Sequence, residues 1–144
     1  MTDVKRIGFL LERTTRIAKL SFSRAFAALK LDITPEQWIL IDHLSENGEM
    51  SQKELGDNTF KNAPTISRII DNLVKKGLVS RVAGVKDRRK TSISLTAQGI
   101  KLVYDSKKDI ENLRNHSWEN LSEHDYQDFV RILDQIFNNF SKQC

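Results

Sequence analysis

Residues 86–99, KDRRKTSISLTAQG, decide the reading of this chain. Lys86, Arg88, Arg89 and Lys90 crowd around one acid, Asp87. A clean alternation, Ser92-Ile93-Ser94-Leu95, follows. Period-two alternation is the signature of a half-buried strand. A second β-type run, Leu78-Val79-Ser80-Arg81-Val82, lies just upstream, and the basic turn from Gly84 to Lys90 is short enough to join the two as a hairpin. Thr96 is suited to cap a following helix, although Gly99 in its first turn weakens that expectation. The sequence therefore places concentrated positive charge at the tip of a β-hairpin.

Working outward, the segments on either side read as helices. Upstream, Asn62-Ala63-Pro64 opens a helix that carries Ile66, Ile69, Ile70, Leu73 and Val74 and stops at Lys75-Lys76-Gly77. Lysines before a glycine suit the negative end of a helix dipole. Ser51-Gln52-Lys53-Glu54 is a capping box that opens a short helix, and Thr34-Pro35-Glu36-Gln37 is another, ahead of Trp38, Ile39, Ile41 and Leu44. Residues 4–30 repeat apolar positions at three- and four-residue steps through Ile7, Leu10, Ile17, Phe26 and Leu29. Downstream, helices are expected over 97–118 and from Ser122 onward. The fold class is mainly α with a small β-hairpin (α+β). Helix, helix, short helix, helix, hairpin is the order of a winged helix, in which the second helix of the helix-turn-helix enters the major groove.

Charge agrees with this order. The net charge is +4, yet residues 61–90 hold nine basic residues against Asp71 and Asp87, a local +7. Residues 31–60 carry seven carboxylates against Lys53. Concentrated positive charge on one segment suits a polyanion, of which nucleic acid is the commonest; a solvated charged face is the plain alternative. No apolar run approaches the ~18 residues of a membrane span. The stretch at the N-terminus is broken by Glu12, Arg13 and Arg16, so no signal peptide is expected and a cytoplasmic location is. A single cysteine, Cys144, excludes an internal disulfide and a cysteine zinc cage. His43, His116 and His124 form no metal motif, and neither a catalytic triad nor a phosphate loop is legible, so neither a cofactor nor an enzyme activity is expected.

Three stretches carry a family resemblance: Thr34-Pro35-Glu36-Gln37-Trp38, Ser51-Gln52-Lys53-Glu54-Leu55-Gly56, and Pro64-Thr65-Ile66-Ser67-Arg68 running on to Val79. The most specific motif is the wing, Asp87-Arg88-Arg89-Lys90 through Leu95-Thr96-Ala97-Gln98-Gly99, a D-x-R…L-T-x-x-G pattern. Over nearly its full length the chain resembles MarR-type transcriptional regulators. The resemblance implies a homodimer built by intertwined terminal helices (residues 1–33 and 97–144) and a winged helix-turn-helix lobe (residues 34–96). It implies binding to a palindromic double-stranded DNA operator, repression, and release by a small aromatic or phenolic effector. Apolar stripes on the terminal helices, broader than a small lobe can cover, independently suggest an interface.

Candidate DNA-binding residues follow. On the recognition helix they are Asn62, Pro64, Thr65, Ser67, Arg68 and Lys75. Arg68 and Thr65 suit base edges or phosphates, since arginine bonds guanine bidentately; Asn62 and Thr65 otherwise serve only to start the helix. Lys61 and Lys75 suit phosphate or solvent, and Asp71 is expected to pair with Lys75 four residues on. On the wing they are Lys86, Asp87, Arg88, Arg89 and Lys90. The family pattern sends Arg89 into the minor groove, where a narrow groove concentrates negative potential. Asp87 braces it there or simply forms the turn. An effector pocket drawn from Phe9, Arg13, Arg16, Trp38 and His43 is the expectation at the lobe–dimer junction; against it, Arg13 and Arg16 are exposed cations and Trp38 a core residue. A winged-helix module that binds a protein partner without DNA is the alternative function.

Overall fold

The computed structural model describes residues 6–83 and 91–144 of the chain. The elements run α1 (Ile7–Ala28), α2 (Pro35–Asn47), β1 (Met50–Ser51), α3 (Gln52–Asn58), α4 (Ala63–Lys75), β2 (Val79–Ala83), β3 (Thr91–Leu95), α5 (Ala97–Ser117) and α6 (Glu123–Ser141). The mainly α architecture with a small antiparallel sheet is the one the sequence implies. None of the described helices is long and apolar enough to cross a membrane. The chain divides into two compact units, Met1–Lys108 and Asp109–Cys144.

In the first unit, local chemistry starts each helix of the lobe. Thr34 caps α2: its Oγ1 accepts from the Gln37 N–H at 3.1 Å, and the Thr34 N–H donates back to Gln37 Oε1 at 3.0 Å. Ser51 and Glu54 repeat the same reciprocal bonds at the start of α3, each at 3.1 Å. Two orphan amides are satisfied at each start, a contribution of about 1 kcal/mol per cap. α1 has no side-chain cap at Arg6. It ends in a turn in which Lys30 takes a positive φ of 56°.

Burial follows the apolar spacing. Phe26, Leu40, Ile41, Leu55, Ile69, Ile70, Leu73 and Ile93 are the large fully buried side chains, drawn from α1, α2, α3, α4 and β3. Trp38 is buried beside them, edge-on to Phe26 with ring centroids 6.3 Å apart. Its indole N–H has no hydrogen-bond partner among the described residues.

The sheet is larger than the expected hairpin. Its order is β1-β3-β2, so β3 is the central strand. β2 pairs antiparallel to β3 from Val79 opposite Leu95 to Ala83 opposite Thr91. β1 adds the pairs Met50–Ile93 and Ser51–Ser92 on the other edge. A two-residue strand is too short to display a period, which is why its sequence reads only as a helix cap.

Gly99 explains the last letter of the wing motif. A Cβ built there would stand 2.2 Å from the Leu78 carbonyl oxygen, so only glycine lets the start of α5 approach β2's root this closely. Thr96 ties the junction: its N–H donates to Leu78 O at 3.1 Å, its Oγ1 donates to Gly77 O at 2.6 Å and accepts from the Gly99 N–H at 3.0 Å. The glycine that weakens the helix in isolation is the condition for its docking.

In the second unit, Ser122 and Asp125 form the capping box of α6, and Asn120 (φ 64°) turns the chain ahead of it. Trp118 packs against Tyr126 and Phe129, with centroids 5.4 and 5.6 Å away. α6 contains no buried residue although it is strongly amphipathic; Tyr126, Phe129, Ile132 and Phe140 are all exposed.

Candidate nucleic-acid interface

α4 is a helix with one face in the core and the other in solvent. Ile66, Ile69, Ile70 and Leu73 are buried. Pro64, Arg68, Asp71 and Lys75 lie exposed, while Thr65 and Ser67 are half-buried at the flanks. Asn62 is the N-cap: its Oδ1 accepts from the Thr65 N–H at 2.9 Å. Asn62 and Thr65 thus do the work of starting the helix, Asn62 with its side chain and Thr65 with its amide. Pro64 sits in the first turn, where no amide is missed.

The charged groups around this face are arranged in pairs. Asp71 does not pair with Lys75, as its spacing suggests. Its Oδ1 instead stands 2.6 Å from Arg81 Nη1 on β2. A cross-element guanidinium with a planar fork is a better partner for a carboxylate than a flexible ammonium on the same helix. The pair ties β2 to α4. Lys61 is drawn inward, its side chain only 18% exposed, with Nζ 3.2 Å from Glu36 Oε1. Glu36 Oε2 stands 3.8 Å from Arg68 Nη2, and Arg68 keeps 61% of its side chain exposed. Lys76 reaches Asp32 O at 2.6 Å and Gln37 Oε1 at 3.2 Å, joining the end of α4 to the start of α2. Glu36 and Arg81 are the residues that sequence reading passed over. Neither carries a local signal, because each finds its partner more than nine positions away.

Two clefts flank α4. One, about 730 Å³, lies between the start of α3, the start of α4 and Thr91 at the start of β3, and includes Lys53, Glu54 and Lys61. The other, about 370 Å³, is bounded by Lys19 and Ser23 of α1, Glu36, Lys61, Arg68 and Asn72. Lys86, Asp87, Arg88, Arg89 and Lys90 lie outside the described residues. Of the residues expected to line an effector pocket, Arg13 lies over the Phe9 ring at 5.8 Å from its centroid, and both are exposed on α1 with Arg16. Trp38 is core. His43 is half-buried, with Nε2 3.4 Å from Asn58 Nδ2. Among the described residues no cluster of His, Cys, Asp or Glu is arranged to hold a metal ion.

Capped helix, turn, capped helix and antiparallel strands in this order define a winged helix-turn-helix protein. Comparison with known proteins places it more narrowly. Residues 31–90 match the MarR family model. The HTH-type transcriptional repressor IacR of Pseudomonas putida is 27% identical over 110 residues, covering 76% of this chain and 66% of its own, so the chain spans about two thirds of that relative's length. A MarR family transcriptional regulator from Silicibacter pomeroyi superposes with a TM-score of 0.78 at 26% identity, over 94% of this chain and 90% of that one. MepR of S. aureus, in a crystal structure with DNA, shares the fold with a TM-score of 0.83 at 23% identity, over 92% and 96% of the two chains. The chain is thus a winged-helix protein similar to transcriptional regulators of the MarR family.

Proposed function

We propose that this protein is a sequence-specific double-stranded DNA-binding regulator that acts in the cytoplasm as a homodimer on a palindromic operator, represses, and is released by a small aromatic effector. The observation that carries the reading is the outer face of α4. Arg68 and Lys75 project from a helix whose other face is locked in the core, and Arg81 binds the basic hairpin to it through Asp71. Arg68 and Thr65 read base edges or phosphates, with Pro64, Ser67 and Lys75 beside them and Asn62 setting the angle of entry. Lys86, Arg88 and Lys90 meet phosphates while Arg89, braced by Asp87, enters the minor groove. The MepR structure with DNA supports this use of the fold.

Residues 34–96 form the DNA-binding lobe and the terminal segments the dimer. Supporting this, α1 exposes Phe9, Leu10, Leu11, Ile17 and Leu20, and α6 exposes Tyr126, Phe129, Ile132 and Phe140. Apolar surface of this extent marks an interface. The effector enters beside Phe9, where Arg13 and Arg16 can neutralise a carboxylate or phenolate, near His43 and Trp38, whose buried indole N–H has no partner among the described residues. It must bind the DNA-incompetent arrangement better than the competent one to shift the equilibrium.

The test is selection of duplexes from a random pool followed by fluorescence anisotropy. Arg68→Ala and Arg89→Ala are each expected to cost roughly 1–3 kcal/mol per contact, counted twice in a symmetric dimer. Binding then weakens at least about tenfold. Failure of the wild-type protein to enrich any duplex at low salt would overturn the reading, and a soluble monomer at micromolar concentration would overturn the dimer. Salicylate-type acids that leave operator affinity unchanged would remove the effector from it.

A further inference from the structure

Glu36 lies in the first turn of α2, where an acid suits the positive end of the helix dipole. Its two carboxylate oxygens also face two cations of the helix-turn-helix, Lys61 at 3.2 Å and Arg68 at 3.8 Å. The two contacts differ in kind. Lys61 is largely buried, so its ammonium fixes the position of the carboxylate. Arg68 is mostly exposed and meets Glu36 through one nitrogen, Nη2. A guanidinium has five donors in a rigid fork, so the contact with Glu36 leaves another edge of the same group free. Guanine O6 and N7 accept two such donors in the major groove.

We propose that Glu36 is a positioning residue for DNA recognition. Pinned by Lys61, it holds one side of the Arg68 guanidinium so that the opposite edge is presented to a guanine. The inference rests on the DNA-binding reading above. A long side chain loses rotamer freedom when it docks on a base, and a carboxylate that has already restricted it removes part of that cost. The same negative charge, set among cations, lowers attraction to phosphates wherever they occur. The two effects have opposite signs on specific and nonspecific DNA. A mere staple between α2 and α4 would weaken both alike.

The experiment uses the full chain and two duplexes: one enriched by the wild-type protein from a random pool, and one of the same composition scrambled. Glu36→Gln keeps the shape and removes the charge. It is expected to weaken binding to the enriched duplex roughly two- to tenfold. Binding to the scrambled duplex should stay equal or tighten by up to about threefold, with a steeper salt slope. Repeating the selection with Glu36→Gln should relax preference at one guanine per half-site and leave the other positions. Lys61→Met removes the cation that pins Glu36 and should lower the specific-to-scrambled ratio as well. Glu46→Gln, an exposed acid on the same helix, makes the same change in net charge and should leave that ratio unaltered. Equal losses on both duplexes, an unchanged ratio, or the same behaviour from Glu46→Gln would overturn the proposal. A wild-type protein that binds neither duplex would instead overturn the DNA-binding reading itself.

Discussion

Gly99→Ala adds one methyl group where the first turn of α5 meets the carbonyl of Leu78. The added carbon would lie 2.2 Å from that oxygen, a full ångström inside contact distance, and the obstacle is backbone rather than a side chain that can swing away. Relief requires the start of α5 to withdraw. That motion stretches the Thr96 N–H bond to Leu78 O (3.1 Å) and the Thr96 Oγ1 bond to Gly77 O (2.6 Å). Overpacking of this kind costs about 1–3 kcal/mol, and each hydrogen bond compromised about 1 kcal/mol more. Alanine recovers up to about 1 kcal/mol through its higher helix propensity. The net expectation is a loss of roughly 2–4 kcal/mol, or about 5–15 °C in Tm for a chain of this size. Thermal unfolding by circular dichroism, at one protein concentration because dimerisation shifts Tm, measures it. Gly8→Ala is the matched control: nothing lies within 4 Å of its new carbon, and it should be neutral or stabilising by up to about 1 kcal/mol. A Gly99→Ala protein as stable as wild type would refute the close-approach account of the wing motif.

Asn62→Ala removes the side-chain bond to the Thr65 N–H and should cost about 1 kcal/mol, with Asn62→Asp retaining most of it; urea unfolding of the three proteins decides, and equal midpoints would mean that the cap is idle. For Asp71 and Arg81, both partly exposed, a double-mutant cycle with Asp71→Asn and Arg81→Met should give a coupling of at most about 1 kcal/mol in stability. Its larger effect should fall on DNA affinity, by loosening the hairpin from α4, and a coupling well above that value would contradict a solvent-screened pair. The Asp125 carboxylate accepts the Ser122 N–H at 2.7 Å and the Ser122 hydroxyl at 2.9 Å, which holds its pKa below the ordinary aspartate value. A depressed pKa in the fold means that the cap's contribution is complete above the ordinary value and is lost as pH falls through the lowered one. An NMR titration of the Asp125 side chain should therefore show a midpoint below that of an unstructured aspartate, and a midpoint at or above it would count against the capping box.

The L-T-x-x-G end of the wing motif, the capping boxes at Thr34 and Ser51 and the apolar spacing are local codes, and they read correctly from the chain alone. A Ser or Thr followed three residues later by Glu, Gln or Asp meets its own partner, whatever lies elsewhere. The apolar positions of α4 sit on one face because the helix repeat puts them there. So the order of elements, the winged-helix class and the exposed face bearing Arg68 were all legible before any coordinates. Three things were not. The strand β1 is two residues long and exists only because β3 offers it an edge. Asp71 passes over Lys75, its neighbour along the helix, for Arg81, because folding brings the rigid guanidinium of β2 beside it. Glu36 joins Lys61 and Arg68 across 25 and 32 positions of chain, and no spacing rule reaches so far. Periodicity and capping are short-range and survive in any context. The pairing of charges depends on which distant segments share a surface, and that is decided only when the core closes.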